Sequence, residues 1–116
     1  MTFVAPTGAI VLVGRNAAQN DALTRSAGCD DVWMHADGPG AHVILRSSAG
    51  AVVDPQDLKF AADLAVYWSK ARGSRTRVTV SRVADVETRK NGSATVASSR
   101  SIVGRPLAAA PSRAMA

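Results

Sequence analysis

Cysteine occurs once in the 116 residues, so no internal disulfide is available, and Cys29 has no Cys or His at short metal-ligand spacing. A reducing compartment follows as the expectation, the cytoplasm or a plastid stroma, with Cys29 a helix-end residue of little chemistry. Aromatic residues make up only 4% of the chain against 47% apolar residues, which excludes a large aromatic core and favours a small aliphatic one lined by alanine-rich helix faces. Long hydrophobic runs are missing too. The apolar stretch Ala9–Val13 is far short of the roughly 20 residues a spanning helix needs, and the segment Met1–Gly8 lacks a basic stretch followed by an apolar one. These absences predict a soluble, unprocessed chain that does not engage a membrane, and the length predicts one domain. Gly-x-Gly-x-x-Gly, Gly-Lys-Ser/Thr and Gly-x-Ser-x-Gly are all absent, so the familiar nucleotide loops and the serine nucleophile elbow are excluded.

Acidic residues are scarce in one half only. Residues 1–69 carry Arg15, Arg25, Arg46 and Lys59 against seven aspartates, a net of −3, whereas residues 70–116 carry ten Lys and Arg against Asp85 and Glu87, a net of +8. A one-sided basic field of this kind concentrates phosphate near the surface and points to a polyanionic partner.

Pro6-Thr7-Gly8 marks a turn between short strands at 2–5 and 9–13. Asn16 is placed to cap a helix whose buried face would be Ala17, Leu23 and Ala27, with Gly28 as a left-handed stop. In the segment 54–73, Asp54 is an N-cap, Pro55 fits the first turn, and Leu58, Ala61, Ala62, Ala65 and Trp68 form a core stripe. Lys70 and Arg72 would sit at its negative end before Gly73. Residues 75–86 read as a strand with Val78 and Val80 inward and Arg77, Thr79 and Ser81 outward, and residues 94–104 as one or two more strands. With Lys70 and Arg72 close by in sequence, Arg75 and Arg77 predict a continuous phosphate-facing patch. The fold class is therefore α+β, a small, mostly antiparallel sheet packed on two helices. It spans residues 1–106, with a disordered tail at 107–116.

The segment "DVWMHADGPGAHVIL" at 31–45 is the densest in functional side chains. A hairpin turning on Gly38-Pro39-Gly40 sets His35 opposite His42 and Trp33 opposite Ile44, so the two histidines share a face, with Arg46 on that face near Asp31. Val32, Met34, Val43 and Leu45 then point into the core. Two histidines with Asp37 as the one local carboxylate make an incomplete metal site, so a metal-dependent hydrolase centred on His35 and His42 is the weakest reading. Two others stay open: the histidines hold the turn by hydrogen bonds to backbone, or the Trp and His rings offer flat surfaces and donors to a nucleic acid. "VGRN" at 13–16 adds a glycine that lets a ligand approach and a helix N-terminus suited to phosphate.

Taken in order, "VGRNAAQNDALT", "DDVWMHADGPGAHVILR", "DLKFAADLAVYWSKARGS" and "IVGRP" resemble the successive motifs of the RNA-binding module of the NFACT family, from about Phe3 to Pro106. Gly14, Arg15, Asn16, Asn20 and Asp21 match the first motif. Asp31, Trp33, His35, Pro39, Gly40 and His42 match the second, and Tyr67, Ser69 and Arg72 match in the long helix. The chain departs from the pattern at Met34, where an aromatic is usual, and at Ala41, where serine is usual. A late Lys-, Pro- and Gly-rich loop is replaced by "TRKNGSATV", which keeps Arg89, Lys90 and Gly92. The resemblance implies a binding module rather than an enzyme, without a cofactor, whose partner is ribosomal or transfer RNA on a large ribosomal subunit during ribosome-associated quality control. A stand-alone nucleic-acid adaptor acting away from the ribosome is the alternative. The expected contact residues are Arg15, Asn16, Asn20, Trp33, His35, His42, Arg46, Lys70, Arg72, Arg75, Arg77, Arg89 and Lys90.

Overall fold

The computed structural model describes residues 1–47, 52–105 and 107. Strands β1 (Thr2–Val4) and β2 (Ile10–Val13) form the first hairpin. Helix α1 (Ala17–Ser26) leads to a second hairpin, β3 (Val32–Ala36) and β4 (Val43–Leu45). Helix α2 (Pro55–Tyr67) then crosses to β5 (Thr76–Arg82), a 3₁₀ turn at Val83–Asp85, β6 (Val86–Thr88), β7 (Ala94–Val96) and β8 (Arg100–Gly104). Six strands make an antiparallel sheet in the order β1-β2-β4-β3-β5-β8, while β6 and β7 pair as a separate hairpin. The α+β architecture on two helices is therefore as expected from the sequence. The segment 94–104 is two strands in two different sheets, and β6 was not anticipated as a strand of its own. The expected tail lies outside the described residues apart from position 107.

α2 lies on one face of the sheet for the reason its stripe predicts. Ala61, Ala62, Leu64, Ala65 and Val66 are buried against Phe3, Val11, Val13, Met34, Val43, Leu45, Val78 and Val80. Alanines let the helix approach closely, and the aliphatic strand residues fill the remaining space. Leu58 and Trp68, expected in that stripe, pack at its edge and are partly buried. The Asp54 carboxylate caps the helix by accepting the Gln56 N–H at 2.8 Å. Two buried aspartates fasten α2 to distant chain. Asp57 accepts the Thr7 N–H at 3.0 Å and the Thr7 hydroxyl, and Asp63 accepts the Arg105 N–H at 2.9 Å and pairs with Lys59 at 2.6 Å. The helix ends at Tyr67, so Lys70 and Arg72 stand in the following turn rather than in its last turn.

α1 departs from expectation. Its buried residues are Asn20, Asp21 and Thr24, with Leu23 and Ala27 only partly buried and Ala17 exposed. The polar side chains are buried because each has a partner: Asn20 Oδ1 accepts the His42 N–H, Asp21 pairs with Arg25, and Thr24 Oγ1 meets the His42 ring. Gly28 is not in the left-handed region. Asp31 accepts its N–H at 2.9 Å and that of Ser47 at 2.8 Å, which closes the loop after α1 without a positive φ. Ser81, expected outward, is buried and donates to the Ser98 carbonyl at 2.7 Å.

The start of α1 follows the sequence. Asn16 is extended and accepts the Gln19 N–H at 2.9 Å, while Gln19 Oε1 accepts the Arg15 N–H at 2.9 Å. This reciprocal pair satisfies two donors at the helix end. Asn16→Ala should cost about 1 kcal/mol and lower the thermal midpoint by roughly 3–6 °C. A circular-dichroism melt checks this, and an unchanged midpoint would show that the bond adds no net stability.

Candidate nucleic-acid interface

The hairpin register is the one the turn predicts: Trp33 pairs with Ile44 and Met34 with Val43, and β5 pairs Trp33 with Ser81 and His35 with Thr79. Trp33, His35 and His42 therefore share a face of the sheet, the one turned away from α2. That face is covered, however. α1 and the β6–β7 hairpin close over it, and Trp33 and Ile44 pack with Val83, Leu23, Ala27, Val86, Ala94 and Val96 as a second small core. Trp33 is 4% exposed and His42 2%, so neither ring presents an open surface of its own. His35 is partly buried.

His42 is a junction. Its N–H donates to Asn20 Oδ1 at 3.2 Å, its carbonyl accepts the Gly14 N–H at 3.1 Å, and its Nδ1 lies 3.0 Å from Thr24 Oγ1. Burial first and the neighbouring His35 second push its pKa down from 6.5, backbone hydrogen bonds at Gly92 and Asn20 with the Asp21 charge only partly oppose this, and the net value is about 4. The ring is thus neutral at pH 7 and ties β4 to α1 and the β6–β7 turn.

Above these residues lies an open groove of about 720 Å³, walled by Gly14–Ala17 and Asn20 at the start of α1, by Pro39–Ala41, by Trp68–Lys70 and by Asn91–Ser93 at the tip of the β6–β7 hairpin, with His35 also lining it. The hairpin tip reaches α1 because Gly92 has φ +83° and no Cβ; a Cβ there would lie 2.9 Å from Ala17 Cα. Arg15 and Lys70 are exposed at the groove, and no carboxylate lines it among the described residues.

The structure thus gathers Arg15, Asn16, Asn20, His35 and Lys70, places Trp33 and His42 beneath, and sets Lys90 beside Asn91 on the hairpin tip. Arg89 donates to Thr95 Oγ1 at 2.7 Å along that hairpin. The remaining candidates do not join the groove. Arg46 lines a separate pocket with Asp54 and Asp57 at the far end of β4, and the Asp31 carboxylate takes backbone N–H groups there. Arg72 folds back over the Tyr67 ring, 4.2 Å from its centroid, and donates to the Tyr67 carbonyl at 2.8 Å. Arg77 faces Asp37 at 3.9 Å, and Arg75 is exposed just before β5. Lys70, Arg72, Arg75 and Arg77, expected to form a continuous patch, are all exposed, with Arg72 turned back over Tyr67 and Arg77 close to Asp37. Sequence reasoning missed Trp68 and Asn91–Ser93 as groove residues; the Asn91-Gly92 dipeptide between two short alternating runs is a hairpin signal that could have placed the latter. Among the described residues no three of His, Cys, Asp and Glu assemble as metal ligands.

Fold and groove define a small α+β binding module with a cationic cleft. Residues 1–98 match the family described as the NFACT protein RNA binding domain, and the chain belongs to that family. Similar curated proteins are Rqc2 homolog RqcH of Bacillus subtilis (strain 168), 45% identical over 75 residues, or 63% of this chain and 13% of that protein, and Rqc2 homolog RqcH of Streptococcus suis (strain 05ZYH33), 46% identical over 69 residues, or 56% and 12%. The solved C-terminal part of the fibronectin/fibrinogen-binding protein from Streptococcus suis superposes with a TM-score of 0.84 at 31% identity, over 92% of this chain and 45% of that one. The chain thus spans a small part of the length of these curated relatives.

Proposed function

We propose that this module, residues 1–106, binds RNA through the groove at the start of α1, and that its RNA is ribosomal or transfer RNA on a large ribosomal subunit undergoing quality control, in a reducing compartment. The observation that carries the reading is the pairing of two exposed cations, Arg15 and Lys70, with a helix N-terminus in a groove lined by no carboxylate among the described residues. Such a site attracts phosphate from several directions and repels none of it. Membership of an RNA-binding family supplies the kind of polyanion.

Titration with RNA over a range of salt tests the reading. Arg15→Ala/Lys70→Ala should bind more weakly and flatten the log-log salt slope by roughly 1.4 for a single strand, about 0.7 for each lost contact. Arg75→Ala/Arg77→Ala should lose less, because Asp37 already offsets part of the Arg77 charge. An unchanged slope in the first variant would remove the groove from the interface. Equal affinity for the matching DNA strand would favour an adaptor that works away from the ribosome.

A further inference from the structure

We propose that the groove takes one unpaired nucleotide of an RNA, its base stacked on the outer ring face of His35 and its phosphate held by Arg15 and Lys70. The proposal rests on the RNA-binding reading above and adds the form of RNA that the site selects.

Trp33 and His35 alternate along β3 and project from the same side of the sheet. Their rings are 12° from parallel with centroids 5.8 Å apart, an offset stack. Trp33 is buried under α1 and the β6–β7 hairpin, so it is the closed end of that stack. His35 is partly buried and lines the groove, so the stack opens there and a further flat ring extends it. His42 stands edge-on to both rings, at 5.3 Å from Trp33 and 5.5 Å from His35, and is itself fixed by Thr24. The platform is therefore set before any ligand arrives, which spares the ordering of a loose ring on binding.

The groove lining is also apolar at Pro39, Ala41 and Trp68, which suits the flat body of a base, while Arg15 and Lys70 supply charge for its phosphate. A volume of about 720 Å³ is that of a pocket for a single small ligand. Inside an A-form duplex each base is stacked on both faces and cannot turn one to His35, and a blunt end offers only one face of a closed base pair. The geometry therefore selects a looped-out or terminal nucleotide, the form in which proteins usually read RNA bases.

Fluorescence anisotropy with the full chain tests this on three RNA hairpins whose strands are joined by a polyethylene-glycol linker in place of loop nucleotides: one with blunt ends, one with a short single-stranded 3′ end of adenosines, and one with the same 3′ end made of abasic ribonucleotides that keep the phosphates. The adenosine end should bind about tenfold tighter than the abasic end, as expected for one base stacked on an aromatic ring, with the same salt dependence for both. His35→Ala should abolish this difference and His35→Phe should keep it, each with its fold checked by thermal melting. Equal binding of the adenosine and abasic ends, or a preference that survives in His35→Ala, would overturn the proposal. Failure of the RNA-binding reading looks different: none of the three hairpins would then bind in a salt-dependent way.

Discussion

Gly14→Ala should lower the unfolding free energy by about 3 kcal/mol, made up of overpacking and a broken buried hydrogen bond. Gly14 follows β2 and donates its N–H to the His42 carbonyl. A Cβ built there would lie 2.0 Å from Asn20 Oδ1, 3.0 Å from its Cγ and 3.1 Å from its Cα. The first contact is far inside van der Waals range, and Asn20 has nowhere cheap to go, since it is 7% exposed and its Oδ1 accepts the His42 N–H at 3.2 Å. Moving that amide leaves a buried donor unpaired and loosens α1 from the sheet at the floor of the groove. RNA affinity should fall with stability. Urea unfolding of Gly14→Ala, Asn20→Ala and the double variant separates the causes. If Asn20 is the obstacle, Gly14→Ala should add little once Asn20 is an alanine. Additive losses from the two single changes would show that the glycine is needed for another reason.

The same region shows what could be read in advance and what could not. Alternation about Gly38-Pro39-Gly40 fixed which residues face each other, and Trp33 does pair with Ile44. Alternation says which residues share a face, but not what covers that face. The cover is α1, whose buried side is Asn20, Asp21 and Thr24. Hydrophobic periodicity cannot find such a side, because the burial of Asn20 and Thr24 is made good by hydrogen bonds with His42 from another element, and that of Asp21 by Arg25. Clustering of charge along the chain likewise does not say which cations meet in space. The basic residues are clustered in the chain, yet Arg72 turns back on Tyr67, Arg77 lies near Asp37, and the basic side chains of the groove, Arg15 and Lys70, come from opposite halves of the sequence. α2 was legible almost throughout, because its cap, its proline and its alanine stripe are local signals that agree with its tertiary role.

Acid should destabilise the fold through His42, and by an amount large for one side chain. In the folded chain its pKa is lowered to about 4, chiefly by burial and then by His35, against 6.5 for a free imidazole. Above pH 6.5 the ring is neutral whether the chain is folded or not, and it contributes no pH dependence. As pH falls from 6.5 towards 4 the unfolded chain binds a proton that the folded one does not, so stability is lost progressively across that window. At pH 5 the loss from this ring should be about 2 kcal/mol. The junction would go with it, since a protonated ring must break from its buried setting between Thr24, Asn20 and the β6–β7 turn. His42→Asn keeps a polar group near Thr24 but cannot titrate, so it should be less stable than the wild type at pH 7.5 and close part of that gap by pH 5. Urea unfolding of both proteins at matched pH values isolates the term, because the carboxylates that also respond to acid are common to the two. A gap that stays constant from pH 7.5 to pH 5 would mean that His42 takes up its proton in the folded chain as readily as in the unfolded one, and that its burial is not what holds it neutral.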